Sequence, residues 1–195
     1  MNNSITKQIL KITNEELDTF TFPEYFNEVL SDYDKQFFFK PSGEEHYRLL
    51  AKISTLFDEE RLLDIGTHNG GSALALAYNP ENLIYSYDIE ESNEIKLVKE
   101  KFINGNINFI IGNVLESTQI QTCPFIFIDI THNGEDEKKI VEYLKEIHWH
   151  GITIWDDIYL NVGMRRFWEN IKQQFECYDI SDLGHWTGSG IVIFK

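Results

Sequence analysis

Acidic residues and glycines recur where short apolar runs of this chain end. The segment "LLDIGTHNGGS" contains Asp64, Gly66 and Gly70, and the runs "LIYSYDI" and "INFIIGN" end near Asp88 and Asn113. Glycine lets backbone N–H groups approach a ligand closely, and an acid after a second strand can accept hydrogen bonds from both hydroxyls of a ribose. Each residue alone has an ordinary alternative as a turn or cap residue. Their recurrence at three successive run ends favours a site for a nucleoside-containing ligand.

The turn after the first run departs from the dinucleotide-binding fingerprint. It reads D-x-G-x-x-x-G, so His68 stands where G-x-G-x-x-G has its second glycine. This turn is therefore less suited to binding a pyrophosphate, whereas the carboxylate of Asp64 suits a cationic or amine-bearing ligand. Thr67 lies within the turn, and Ser72 opens a helix whose first turn adds partial positive charge.

The elements that position these residues follow from hydrophobic periodicity. From residue 61 onward, seven short apolar runs alternate with segments of helical spacing, which predicts a parallel sheet with helices on both faces. The last two runs, "ECYDI" and "GIVIFK", are separated only by the loop "SDLGHWTGS". This predicts an antiparallel C-terminal hairpin. The expected fold is a Rossmann-like, doubly wound, seven-stranded α/β sheet that is mostly parallel.

Residues 1–57 are predicted to form a helical arm packed on a domain that spans residues 58–195. One helix is expected to start at Pro23, a favourable first-turn residue, in "PEYFNEVLSDYD". A second is expected in "PSGEEHYRLLAKISTLF", where Ser42 and Glu45 have the spacing of a capping box. Between them, Phe37–Phe39 predict either a hydrophobic plug that docks the arm on the core or part of a lid over a ligand pocket.

Composition limits the partners. The 195 residues are 42% hydrophobic and carry a formal charge of −15, which predicts one globular domain that polyanions repel. Nucleic acids and anionic membranes are therefore not expected partners. No run of about 18 apolar residues occurs, and the first residues lack the pattern of a secretory signal. Two cysteines, Cys123 and Cys177, cannot build a disulfide framework. A cytoplasmic location is expected.

Four segments together resemble the class I S-adenosylmethionine-dependent methyltransferases. They are "LLDIGTHNGGSALALA", "YSYDIE", "FIIGNV" and "FIFIDITHNGEDEKKIVEYLKEIHWHGITIWDDI", and the resemblance covers residues 40–195. Within that superfamily the last segment is similar to the small-molecule O-methyltransferases, in the branch related to macrocin- and cephalosporin-tailoring enzymes and, more distantly, catechol O-methyltransferase. No N-P-P-Y motif follows the fourth strand, which counts against methylation of amino groups in DNA bases or protein glutamine.

The resemblance implies a role for each matching position. The glycine turn would hold the methionine moiety of the cofactor, Asp88 the ribose and Asn113 the adenine ring, with Asp129 near the transferred methyl group. The residues expected to bind S-adenosylmethionine are Asp64, Gly66, Thr67, Gly70, Ser72, Asp88, Asn113 and Asp129.

Acids at two neighbouring strand ends are candidates for metal-assisted chemistry. The resemblance places a divalent cation between Asp129, Asp156 and Asp157, and hard oxygen ligands favour Mg²⁺ over Zn²⁺. Such a cation would lower the pKa of a bound hydroxyl. His132 is the other catalytic candidate, as a general base beside Asp129. Because successive strand residues point to opposite faces, one of Asp156 and Asp157 could instead cap the following helix.

The sequence therefore predicts an enzyme that transfers a methyl group to a hydroxyl of a small-molecule acceptor. Two alternatives stay open: a non-catalytic protein that binds S-adenosylmethionine, and another nucleotide-binding enzyme such as an NAD-dependent oxidoreductase. A homodimer is also left open, since no residue pattern decides it.

Overall fold

Seven strands form one sheet in the computed structural model, which describes residues 2–102 and 105–195. The order is β3-β2-β1-β4-β5-β7-β6, and β7 runs antiparallel to both of its neighbours. The predicted mostly parallel sheet with an antiparallel C-terminal hairpin is confirmed. The strands are β1 Arg61–Ile65, β2 Leu83–Asp88, β3 Ile107–Ile111, β4 Phe125–Ile128, β5 Gly151–Asp156, β6 Glu176–Asp179 and β7 Ser189–Phe194.

Helices cover both faces of the sheet, as predicted. Side chains alternate in direction along a strand, so Leu62 and Ile154 pack with one set of helices, and Leu63 and Trp155 with the other. The first set is α1 Asn2–Ile9, α2 Asn14–Asp18, α3 Tyr25–Val29, α4 Asp32–Phe38, α5 Tyr47–Ser54, α6 Gly71–Leu76 and α7 Asn93–Lys101; the second is α8 Glu135–Glu146 and α9 Val162–Ile171.

Two local predictions for the arm are wrong. The segment that starts at Pro23 is not one helix, because buried Leu30 is extended between α3 and α4 and Ser31 caps α4 by accepting a hydrogen bond from the Asp34 N–H. The capping box of Ser42 and Glu45 does not form, because α5 begins only at Tyr47. The Ser42 N–H instead donates to Asp18 Oδ1 at 2.8 Å.

The arm shares one apolar core with the sheet. Phe38 is 1% exposed and contacts the rings of Phe22, Phe26 and Tyr47. The guanidinium of Arg48 donates to four backbone carbonyls that close the arm's loops. Phe38 therefore acts as the hydrophobic plug of the two predicted alternatives. Within the described ranges, no helix is both long and apolar enough to cross a membrane.

Candidate active site

A cavity of about 720 Å³ opens at the carboxyl ends of β1, β2, β3 and β4. Ligands of open α/β sheets bind in this position because the loops that follow parallel strands meet there. Five of the predicted site residues lie on its wall: Gly66, Asp88, Asn113, Asp129 and His132. Among the described residues of the arm, 2–57, none lies on the wall of this cavity.

The turn after β1 requires glycine at two positions. Gly66 has φ +96°, and a Cβ atom there would overlap the carbonyl oxygen of Asp129. The Asp129 N–H also donates to the Ile65 carbonyl at 2.9 Å, so the ends of β1 and β4 are in direct contact. Gly70 has φ +86° and is the N-cap residue of α6. Both glycines permit a backbone conformation that other residues rarely adopt, and this leaves a bare backbone surface beside the cavity.

Asp88 fixes the same turn from the neighbouring strand. Its Oδ2 atom accepts a hydrogen bond from the His68 N–H at 2.7 Å, and its Oδ1 atom accepts one from the Glu90 N–H at 3.2 Å. His68 has φ +44°, which is uncommon outside glycine. A carboxylate offers about four lone-pair sites, so Asp88 retains acceptor capacity toward the cavity.

Three of the predicted cofactor residues lie behind the turn, away from the cavity wall. Asp64 is completely buried, and its Oδ2 atom accepts a hydrogen bond from Ser86 Oγ at 2.7 Å. Ser86 is in turn hydrogen-bonded to Thr67, and Ser72 is also buried. Asp64 Oδ1 has no hydrogen-bond partner. Burial raises the pKa of Asp64 to about 7, against the opposing effect of the serine hydroxyls.

Asn113 is exposed on the cavity wall. It is also a turn residue, which is the ordinary alternative that the sequence left open. Its Oδ1 atom accepts a hydrogen bond from the Leu115 N–H at 3.1 Å, which caps a short 3₁₀ turn over Val114–Glu116. The preceding residue, Gly112, has open space where a Cβ would lie. The backbone of Gly112 is therefore open to the cavity at this strand end.

His132 and Asp129 form a hydrogen-bonded pair on the cavity wall after β4, next to the glycine turn. His132 Nε2 lies 2.8 Å from Asp129 Oδ1. The loop is held by the buried carboxylate of Glu137, which accepts hydrogen bonds from the N–H groups of His132 and Gly134 at 2.8 and 2.7 Å. Asn161 donates to the His132 carbonyl at 2.6 Å. These contacts stabilise His132 at φ +53° and fix its ring against Asp129.

The surroundings of this pair raise the pKa of both side chains. Burial lowers the pKa of His132, but the hydrogen bond to Asp129 and the nearby carboxylates outweigh burial and raise it. Burial also raises the pKa of Asp129, against the effect of His132. An imidazole held in this way by a carboxylate can accept and release a proton near neutral pH.

Asp156 and Asp157 share His185 as a partner, and each also contacts a second histidine. Asp156 is 3% exposed, and its Oδ2 atom lies 3.4 Å from His46 Nδ1 and 3.2 Å from His185 Nδ1. Asp157 Oδ1 lies 3.0 Å from the same His185 atom, and its Oδ2 atom lies 3.5 Å from His132 Nε2. Neither acid caps α9, because Asn161 occupies that position and accepts a hydrogen bond from the Met164 N–H.

The predicted Mg²⁺ ligands do not suit that ion. Among the described residues, each group of potential metal ligands whose atoms lie within 4.8 Å of one another contains both carboxylates and imidazoles. Asp129, Asp156 and Asp157 do not form such a group. The Nε2 atom of His132 lies between Asp129 and Asp157, at 2.8 and 3.5 Å. Mg²⁺ demands a near-octahedral shell of oxygen atoms. Neither group of candidate ligands among the described residues offers oxygen atoms alone.

Sequence reasoning missed two residues of this region. His46 precedes α5 and His185 lies in the loop between β6 and β7, and both contact Asp156. No spacing in the sequence links positions 46, 156 and 185. Neither histidine belongs to a recognisable motif, so the sequence alone gives no reason to place them together.

Comparisons with solved structures establish the fold. A methyltransferase of Podospora anserina solved with S-adenosylhomocysteine has a TM-score of 0.62 at 16% identity, over 99% of this chain and 94% of the other. A Klebsiella pneumoniae protein with a provisional O-methyltransferase assignment gives 0.62 at 16%, over 100% and 96%. A Staphylococcus aureus protein provisionally assigned as a caffeoyl-CoA O-methyltransferase gives 0.60 at 18%, over 97% and 96%.

The chain therefore shares its fold with these solved methyltransferases, and the predicted Rossmann-like fold is confirmed. No protein-family model matches the chain, and no curated protein matches it.

Proposed function

We propose that this chain is an S-adenosylmethionine-dependent methyltransferase that acts on a hydroxyl of a small-molecule acceptor. The observation that supports it best is one cavity whose wall contains Gly66 of the glycine turn, Asp88 and the Asp129–His132 pair. The glycine turn and Asp88 suit a nucleoside-containing cofactor, and the Asp129–His132 pair suits removal of a proton. The bound S-adenosylhomocysteine in the Podospora anserina protein supports the same cofactor here.

The residues around the glycine turn fit S-adenosylmethionine. Gly66 lies on the cavity wall and has no room for a side chain, and the unpartnered Oδ1 atom of buried Asp64 places a carboxylate beneath the turn. Asp88 would accept hydrogen bonds from the ribose hydroxyls, and the backbone at Gly112 and Asn113 would flank the adenine ring. When bound, S-adenosylmethionine supplies an electrophilic methyl group attached to sulfur.

The contribution of the Asp129–His132 pair is to position an acceptor and remove its proton. Asp129 accepts the Nε2–H of His132, which leaves the lone pair of Nδ1 as the base for the hydroxyl proton. The raised pKa of His132 stabilises the imidazolium that results. Alignment of the oxygen in this cavity supplies the remaining acceleration. No step is assigned to Mg²⁺.

Two features guide the choice of acceptor and setting. The formal charge of −15 disfavours a polyanionic acceptor, so a small molecule is favoured over nucleic acid. The free thiols of Cys123 and Cys177 fit a reducing compartment, for which we propose the cytoplasm. In this proposal residues 58–195 carry the cofactor site, and residues 1–57 form the arm that packs on it.

Calorimetry and a transfer assay test the proposal. The purified chain should bind S-adenosylhomocysteine and not NAD, and it should transfer a labelled methyl group to at least one hydroxyl compound in a panel of catechols, sugars and macrolides. NAD binding without S-adenosylhomocysteine binding would support the oxidoreductase alternative. S-Adenosylhomocysteine binding without transfer to any acceptor would favour the non-catalytic alternative.

A further inference from the structure

Three side chains from distant parts of the chain meet beneath the arm. His46 comes from the residue before α5, Asp156 from the end of β5, and His185 from the loop between β6 and β7. Each offers a ligand atom within 4.8 Å of the other two. His46 and Asp156 are each 3% exposed, and His185 is half-buried. The group is therefore nearly closed to solvent, with one opening on the His185 side.

Neither nitrogen of the His46 imidazole has a hydrogen-bond partner, although Nδ1 lies within ion-pair distance of Asp156. Both nitrogens are buried. Nδ1 faces Asp156 Oδ2 at 3.4 Å, which is longer than a normal hydrogen bond. Buried polar atoms are nearly always satisfied, and an exception points to an absent water or ion. The unsatisfied Nδ1 atom is directed toward the other two side chains.

The distances match those between ligands of one cation. Two donor atoms at about 2.1 Å from a tetrahedral Zn²⁺ ion lie about 3.4 Å apart. The two distances to Asp156 Oδ2 are 3.4 Å from His46 and 3.2 Å from His185. Behind His185, its Nε2 atom faces Glu45 Oε2 at 3.7 Å. A carboxylate that accepts a hydrogen bond from the far ring nitrogen supports a metal-binding histidine, and Glu45 lies within ion-pair distance of that nitrogen without such a hydrogen bond.

We propose that His46, Asp156 and His185 bind a divalent transition-metal ion, with Zn²⁺ as the best fit. Two imidazoles and one carboxylate form a ligand set that suits such ions and disfavours Mg²⁺. The site differs from the Asp129–Asp156–Asp157 arrangement in both ligands and ion. It joins the arm, the sheet and the C-terminal loop at one point, so it stabilises their docking. It does not depend on the proposed methyl transfer.

Metal binding by the full chain tests this site directly. After chelator treatment, the chain should bind one equivalent of Zn²⁺ by calorimetry, and Co²⁺ should give the visible absorption of a tetrahedral nitrogen- and oxygen-ligated ion. His46→Gln and His185→Gln should each abolish saturable binding. Glu45→Gln should weaken it by about tenfold to 100-fold. His150→Gln, in an exposed histidine outside the group, is the matched control and should bind like the wild type.

Two further measurements distinguish this site from its neighbours. His132→Asn should retain Zn²⁺ binding; its loss would assign the ion to the second group, Asp129, His132 and Asp156, and overturn the proposal. Absence of saturable Zn²⁺ and Co²⁺ binding by the wild-type chain would also overturn it, as would wild-type binding by a folded His46→Gln or His185→Gln variant. Thermal melting by circular dichroism shows whether each variant folds. S-Adenosylhomocysteine affinity, measured separately, tests the proposed function without the metal.

Discussion

His132 Nε2 lies 2.8 Å from Asp129 Oδ1, and both residues lie on the wall of the cavity that contains the glycine turn. The two side chains come from one loop after β4, yet their pairing depends on Glu137 and Asn161, which hold the loop backbone from α8 and from the start of α9. The pair is thus rigid before any ligand binds, which is the condition for proton transfer without rearrangement of the site.

Asp129→Asn should lower kcat and leave cofactor affinity nearly unchanged. In Asp129→Asn the base His132 remains, but the carboxylate that orients its ring and raises its pKa is lost, and positioned general-base catalysis contributes about 10²- to 10⁴-fold in rate. Because the Asp129 carboxylate raises the pKa of His132, its removal should also move the inflection of the pH–rate profile to lower pH. Steady-state kinetics across pH and calorimetry with S-adenosylhomocysteine measure both effects. Glu135→Gln, an exposed acid of the same loop, is the control. An unchanged rate in Asp129→Asn would exclude this role.

Asp88→Ala should weaken S-adenosylhomocysteine binding by roughly tenfold to 100-fold. A hydrogen bond to a charged group contributes about 1.5–3 kcal/mol, and Asp88 also holds the His68 N–H at 2.7 Å. Calorimetry measures the loss, with Glu90→Ala as the control because Glu90 is exposed on the same loop. Equal affinity in the wild type and the Asp88 variant would show that the ribose binds elsewhere.

Asp64→Asn should reduce the pH dependence of stability. Burial raises the pKa of Asp64 from 3.8 to about 7, so between these pH values the folded chain keeps a proton that the unfolded chain releases. The free energy of unfolding therefore falls as pH rises through this window and levels off above it. The variant lacks this effect, so its stability relative to the wild type should increase between pH 5 and pH 8 by about 2–3 kcal/mol.

Urea denaturation at several pH values measures this difference. Asp58→Asn, which alters an exposed acid, should leave the wild-type pH dependence intact. A stability difference between Asp64→Asn and the wild type that stays constant from pH 5 to pH 8 would mean that Asp64 titrates normally in the folded chain.

Phe38→Ala should destabilise the chain by about 3–5 kcal/mol, because removal of a fully buried phenylalanine leaves a cavity. Phe38 is 1% exposed between the rings of Phe22 and Tyr47. Its neighbour Phe37 is half-exposed, so Phe37→Ala should cost less than about 1 kcal/mol. Chemical denaturation of the two variants compares them directly. Similar losses in both would contradict the assignment of Phe38 as the plug.

The sequence by itself determined the sheet and the strand ends that form the cavity. Alternation of apolar runs and amphipathic segments is a local signal, and parallel strands bring their carboxyl ends to one edge. Gly66, Asp88 and Asn113 could therefore be assigned to one region of the cavity from their positions at strand ends, and the family resemblance added Asp129. Local capping signals were less reliable: Ser42 and Glu45 have the spacing of a cap, yet α5 starts at Tyr47.

Only the tertiary structure decided which side chains face one another. Asp64 and Asp88 both end or adjoin strands, but packing buries the first beneath the turn and leaves the second on the cavity wall. The approach of His46 and His185 to Asp156 depends on how the arm and the C-terminal loop dock on the sheet. Contacts between residues far apart in the chain leave no periodic signal, because they depend on the packing of whole elements and not on local spacing.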